Sequence, residues 1–185
     1  MKKTVFKFGL IAGAMLAVFM FATLPFIERI GFEYGLIVGY TGMVLAFLLV
    51  FFGIKTHRDS VGGGYITFWR AFKVGLLIVL VASVCYVIAW EIVYFNFLPD
   101  FVEKYGNYIV TKERAAGASA EQIAQTMERM KYMKSLLDNP LTNAAIVIIE
   151  PLPVGLVMTL ISAAILRRRR TEEVDGSERL EQSAA

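Results

Sequence analysis

The stretch VGLLIVLVASVCYVIAWEIVYFNFL, residues 74–98, carries a single charged residue, Glu91. A helix rises about 1.5 Å per residue, so roughly 20 apolar residues are needed to cross the hydrocarbon of a bilayer. This stretch is long enough. Lipid offers no hydrogen-bond partners to open backbone, so such a segment must be helical if it spans. Working outward, three more stretches meet the same test. Residues 8–27 and 35–54 contain no charge, and residues 141–166 contain only Glu150. The period-two alternation of barrel strands is absent.

Composition agrees with this reading. Of the 185 residues, 57% are hydrophobic and 19% charged, and mean hydropathy is +0.59. A soluble domain of this size has too little interior for so much apolar surface. The net charge of +3 does not indicate nucleic acid, because the basic residues gather at the ends of the apolar stretches. The single Cys85 lies inside an apolar run, so no intrachain disulfide forms. One histidine, His57, does not make a metal site and is read as exposed in a polar loop.

The sequence therefore predicts an all-α membrane protein with four transmembrane helices and, between helices three and four, an extracytoplasmic helical hairpin. Residues 1–170 form this domain, with spans over 8–27, 35–54, 74–98 and 141–166 and the hairpin over 99–140. Residues 171–185 read as a disordered cytoplasmic tail, being short and polar. The opening MKKTVFK followed by an apolar run resembles a secretory signal, but the run is long and no A-x-A site ends it, so it is read as a retained helix. Lys2, Lys3 and Lys7, then Lys55, Arg58, Arg70 and Lys73, then Arg167 to Arg170 all fall on one side of four spans. By the positive-inside rule that side is the cytoplasm, and both termini lie there. Aromatic residues from Tyr65 to Phe72 and from Trp90 to Phe101 bracket span three at headgroup level.

Outside the spans, Gly62, Gly63 and Gly64 in the loop 55–65 read as a flexible turn, since no Gly-Lys-Ser/Thr follows to make a phosphate loop. The hairpin reads as two helices broken at Gly117, the second opening with a capping box of Ser119 and Gln122 and stopped by Pro140. Ala120, Ile123, Met127, Met130, Met133 and Leu137, interrupted by Lys134, form its expected apolar stripe, which is read as packing on the first hairpin helix or lying on the lipid surface, with a partner-binding face as the alternative.

Two ionisable residues fall within spans, where they are costly. Glu91 lies about 10 Å below the end of span three at Leu98, and Glu150 about 13 Å below the start of span four at Leu141. The two spans run in opposite directions, so the carboxyls are expected in one layer. Tyr40 and Thr41 reach a similar depth, and Asn143 lies on the face of Glu150. An intramembrane polar cluster of Glu91, Glu150, Tyr40, Thr41 and Asn143 is the candidate site, functional or structural. Pro151, Pro153 and Gly155 directly after Glu150 predict a helix kink. Gly9, Gly13 and Ala17, and likewise Gly31, Gly35 and Gly39, are four apart and allow close helix contacts, within the chain or between copies, although Gly31 falls beyond the apolar span.

Several motifs resemble one family. They include Gly39-Tyr40-Thr41-Gly42-Met43, Gly62-Gly63-Gly64, and Phe68-Trp69-Arg70-Ala71-Phe72-Lys73-Val74-Gly75. Further on come Trp90-Glu91-Ile92-Val93-Tyr94, Pro151-Leu152-Pro153-Val154-Gly155-Leu156 and Ser162-Ala163-Ala164-Ile165-Leu166. Together they resemble the bacterial membrane family known as domain of unknown function 4199. The resemblance implies a small multi-pass protein of the bacterial inner membrane, and it implies no activity, cofactor or catalytic residue.

Three functions compete on the sequence. The first is a structural or accessory component that packs with copies of itself or a membrane protein partner, its other contacts being membrane lipids. The second is a small transporter or proton-coupled permease using Glu91 and Glu150. The third, a lipid-acting enzyme, lacks a nucleophile with a base or a metal-binding carboxylate pair. No cofactor and no metal is expected.

Overall fold

The computed structural model describes residues 1–168. Helix α1 covers Lys2–Thr23 and runs through a 3-10 turn, Leu24–Phe26, into α2, Ile27–Val61. Then follow α3 (Phe68–Phe97), α4 (Phe101–Ala115), α5 (Ala120–Leu137), α6 (Pro140–Val147) and α7 (Pro151–Leu166). Four segments are long and apolar enough to cross a membrane: Lys2–Phe26, Arg29–Val61, Phe68–Phe97 and Pro140–Leu166. The expected tail at 171–185, with Arg169 and Arg170 before it, lies outside the described residues.

Helix α3 runs through the middle of the bundle, touching α1, α2, α6 and α7. Apolar side chains gain little from leaving lipid for one another, so close fit holds such helices together. Small residues provide that fit. A methyl group on Gly9 would sit 2.6 Å from Cβ of Val81, and one on Gly13 would sit 2.8 Å from Sγ of Cys85. Advancing four residues on α1 thus advances four on α3, so the two helices run parallel. Helix α7 runs antiparallel to α3: a methyl on Gly75 would meet Cγ2 of Thr159 at 2.7 Å, and one on Gly155 would meet Cγ2 of Val79 at 2.7 Å.

The polar string after Ile54 does not form the expected loop. Helix α2 continues to Val61, and His57 is 1% exposed. The reason is a repeat: Met43, Phe47, Val50, Ile54 and His57 follow one another at helical spacing and are all buried. His57 closes an apolar stripe, while Lys55, Thr56, Asp59 and Ser60 face outward. Both ring nitrogens of His57 lack a protein partner. The true loop is residues 62–67. There Ile66 exchanges backbone hydrogen bonds with Arg168 at 3.0 and 2.9 Å, tying the start of α3 to the end of α7.

At the other end of the bundle, α4 and α5 form a helical hairpin. Gly117 turns the chain with φ +82, a value that favours glycine. Ser119 Oγ accepts from the backbone of Gln122 at 3.3 Å, and Gln122 Oε1 accepts from the backbone of Ser119 at 2.8 Å. The packed face of α5 differs from the expected stripe. Thr126 is buried and donates to Glu113 Oε1 at 2.9 Å, Met130 lies over Gly106, and Leu137 joins Tyr94 and Val102 in a small core. Met127 and Met133 sit on the shoulders of that face, 49% and 40% exposed. The hydroxyl at position 126 takes the inward place because a carboxylate on α4 satisfies it.

Candidate functional site

The fourth span is not one helix. Regular helix stops at Val147, turns through residues 148–150 and resumes at Pro151. A proline has no N–H to give to the preceding turn, and its ring excludes a continuing helix, yet it suits a first helical position. Pro151 takes that position and Pro153 lies within the same turn, so the interruption falls just before them. Gly155, one turn on, seats α7 against Val79.

Glu150 sits at this break. Its Oε2 accepts a hydrogen bond from the hydroxyl of Tyr86 on α3 at 2.8 Å. Tyr86 was not among the expected site residues. Its signal was present, since Tyr86 lies four residues before Trp90 and shares its helix face. Glu91 is one position further on, about 100° around the helix from Trp90. Five positions beyond Tyr86, it lies about 140° around α3 from the side that meets Glu150, and its Oε1 is buried and unpartnered.

The remaining members of the expected cluster have separate partners. Asn143 is fully buried, accepts from the Trp90 indole at 3.0 Å and donates to the backbone of Leu137 at 2.9 Å. It pins α6 to α3 and to the end of α5. Beside it, the Thr142 hydroxyl donates to the backbone oxygen of Leu136. Thr41 turns back on its own helix, donating to Ile37 O at 2.7 Å. Tyr40 is 43% exposed on a shallow outer groove of α2 with Leu36, Ile37, Val44 and Leu45. Tyr94 reaches Asp138 at 3.4 Å. Among the described residues, no hydrogen bond joins any two of Glu91, Glu150, Tyr40, Thr41 and Asn143. Helical phase gives these groups separate hydrogen-bond partners.

Glu150 and Tyr86 face a cavity of about 420 Å³. It begins in the layer of Leu16, Met43, Tyr86 and Glu150 and extends to Leu98, Phe101 and Tyr105 at the hairpin end. One wall is the second small-residue series. Gly31, Gly35 and Gly39 line the cavity, and a methyl on any of them would meet nothing within 4 Å. Among the described residues, no other helix packs against this series. Gly31 also breaks α2, with φ +64 and ψ 172. Phe32, the next residue, packs edge-on against Phe101 and Tyr105 and tilted against Tyr108 of α4, which closes the hairpin end. Among the described residues no group of three or more His, Cys, Asp or Glu side chains is placed to hold a metal ion.

These features define an all-helical chain with four segments suited to crossing a membrane, an interrupted fourth segment and an apolar cavity ending on a carboxyl. The model of the family described as "Protein of unknown function (DUF4199)" matches residues 7–168, and the chain belongs to that family. No curated protein and no solved structure matches it.

Proposed function

We propose that this is a multi-pass protein of the bacterial inner membrane, with both termini in the cytoplasm, acting as a structural or accessory component that engages a partner through its α4–α5 hairpin. The orientation is supported by charge. The start of α1, the end of α2, the start of α3 and the end of α7 share one end of the bundle, and Lys2, Lys3, Lys7, Lys55, Arg58, Arg70, Lys73, Arg167 and Arg168 cluster there.

The observation that carries the accessory role is the exposure of large side chains on α5, two on the shoulders of its packed face and one on its outward side. Met127, Tyr132 and Met133 are 49%, 67% and 40% exposed, although the helix already has a packed face. Methionine and tyrosine adapt well to a partner surface. A photoreactive residue placed at Tyr132 or Met133 in native membranes tests this. A discrete crosslinked species of constant mass, a second copy or another membrane protein, is expected. Only lipid adducts at both positions would remove the proposal. Transport through Glu91 and Glu150 is less well supported, because the two carboxyls face different sides of α3.

A further inference from the structure

We propose that the cavity between α1, α2 and α3 is a binding site for a lipophilic amine, with its protonated nitrogen on Glu150 and its apolar body along the glycine track of α2. Size and shape come first. About 420 Å³ falls within the range of small-molecule sites. The walls run along α3 from Tyr86 to Leu98, roughly 18 Å at the helical rise, so the space is elongated. Gly35 and Gly39 leave room there that any other residue would fill.

Polarity then selects the ligand. Glu150 and Tyr86 lie at one end of an otherwise mainly apolar lining, and the phenolic hydrogen of Tyr86 is already given to Glu150. A tyrosine hydroxyl has one hydrogen to donate, so the pair offers its free lone pairs to an incoming donor. None of the lining residues is a lysine or arginine. A carboxyl in an apolar site stays ionised only beside a cation, and an ammonium head supplies one together with several donors. Trp90 lines the same cavity, its indole fixed by Asn143, and an aromatic ring is a side chain that attracts cations. A phospholipid fits less well, because its head stays at the interface while its chains bring no polar group to Glu150. A fatty acid would set a second carboxyl against the first.

The test uses the full chain in phosphatidylcholine nanodiscs and dodecylamine carrying a chain diazirine. Photolabelling is expected on peptides of α2 and α3 that line the cavity, displaced by unlabelled dodecylamine and about tenfold less well by dodecanol or dodecanoic acid. Glu150→Gln should weaken labelling about tenfold, and Gly39→Leu should abolish it by filling the space. Equal displacement by dodecanol, undiminished labelling of Glu150→Gln, or label spread evenly over the outer faces of the spans would each overturn the proposal, the last two marking ordinary lipid occupancy. Competition on the unsubstituted chain decides the matter even if a variant does not fold. Failure here leaves the hairpin contact standing, since that is read at Tyr132 and Met133.

Discussion

Tyr86 donates its phenolic hydrogen to Oε2 of Glu150 across 2.8 Å, joining the middle of α3 to the break that precedes α7. Removing the donor leaves a largely enclosed carboxyl without its protein partner. Tyr86→Phe is expected to cost about 1–3 kcal/mol, read as a lower melting temperature in mild detergent. Glu150→Gln keeps an acceptor oxygen for Tyr86 and should cost less. If Tyr86→Phe melts with the unsubstituted protein, the bond does not help hold the break in place.

The two glycine series should behave in opposite ways. Ala at Gly13 would press into Cys85, and Ala at Gly9 into Val81, so each is expected to destabilise by about 1–3 kcal/mol. At Gly35 and Gly39 the methyl enters open space, and alanine is the better helix former by about 1 kcal/mol. Gly35→Ala and Gly39→Ala should therefore melt no lower than the parent. A matched loss at Gly13 and Gly39 would mean that both series are packed.

On the hairpin, cysteines introduced after replacement of Cys85 should react with a water-soluble thiol reagent in phase with the packed face. Positions 126, 130 and 137 should be slow, and positions 128 and 132 fast. Ser119→Ala removes the cap of α5 and should cost about 0.5–2 kcal/mol. Lys134 lies 3.1 Å from Asp138, a hydrogen bond that raises the lysine's pKa. The contact is present while Lys134 is protonated and fades only as pH climbs through that raised value. Hairpin labelling should therefore be unchanged between neutral and mildly alkaline pH, and faster reaction at the slow positions over that interval would contradict it.

His57 gives a sharper energetic test. An enclosed imidazole with neither nitrogen bonded to protein carries a desolvation cost of about 1–3 kcal/mol. His57→Leu has similar bulk and no polar atom, so it is expected to raise the melting temperature. A fall of several degrees would indicate that a water or ion occupies the imidazole's hydrogen-bonding positions and that the residue depends on it.

The legible part of this fold was everything set by length and hydropathy. Four apolar stretches, a capping box at Ser119 and a turn at Gly117 each depend on a few neighbouring residues, and each has its counterpart in the helices observed. What escaped was rotation about the helix axis. Tyr86, not Tyr40, meets Glu150 because it shares a face with Trp90, and Thr126 replaces Met127 inside the hairpin because Glu113 lies opposite. His57 looked like loop because Lys55, Arg58 and Asp59 surround it, although the spacing from Met43 through Ile54 already pointed inward. The open space beside Gly35 and Gly39 depends on where α1, α3 and α4 stop, and no local pattern on α2 encodes that.

Orientation rests on charge alone and has its own test. Basic residues collect at the end of the bundle that holds the loop 62–67, whereas the α4–α5 hairpin at the other end has equal numbers of acidic and basic residues over positions 100–138. Translocation is hindered by lysine and arginine near span ends and little affected by balanced charge, so the first end should remain in the cytoplasm. Gly63 and Gly117 are suitable insertion points, since both have positive φ and a side chain at either would meet nothing within 4 Å. A reporter inserted at Gly63 should give a cytoplasmic signal, as should one fused after Arg168. One at Gly117 should be active only on the far side. Replacing Lys55, Arg58, Arg70 and Lys73 with glutamine should weaken this preference without altering the helices, because all four side chains are outside the apolar core. A cytoplasmic signal at Gly117 in the unsubstituted chain would invert the topology and place the hairpin, with its exposed Met127, Tyr132 and Met133, among cytoplasmic partners instead.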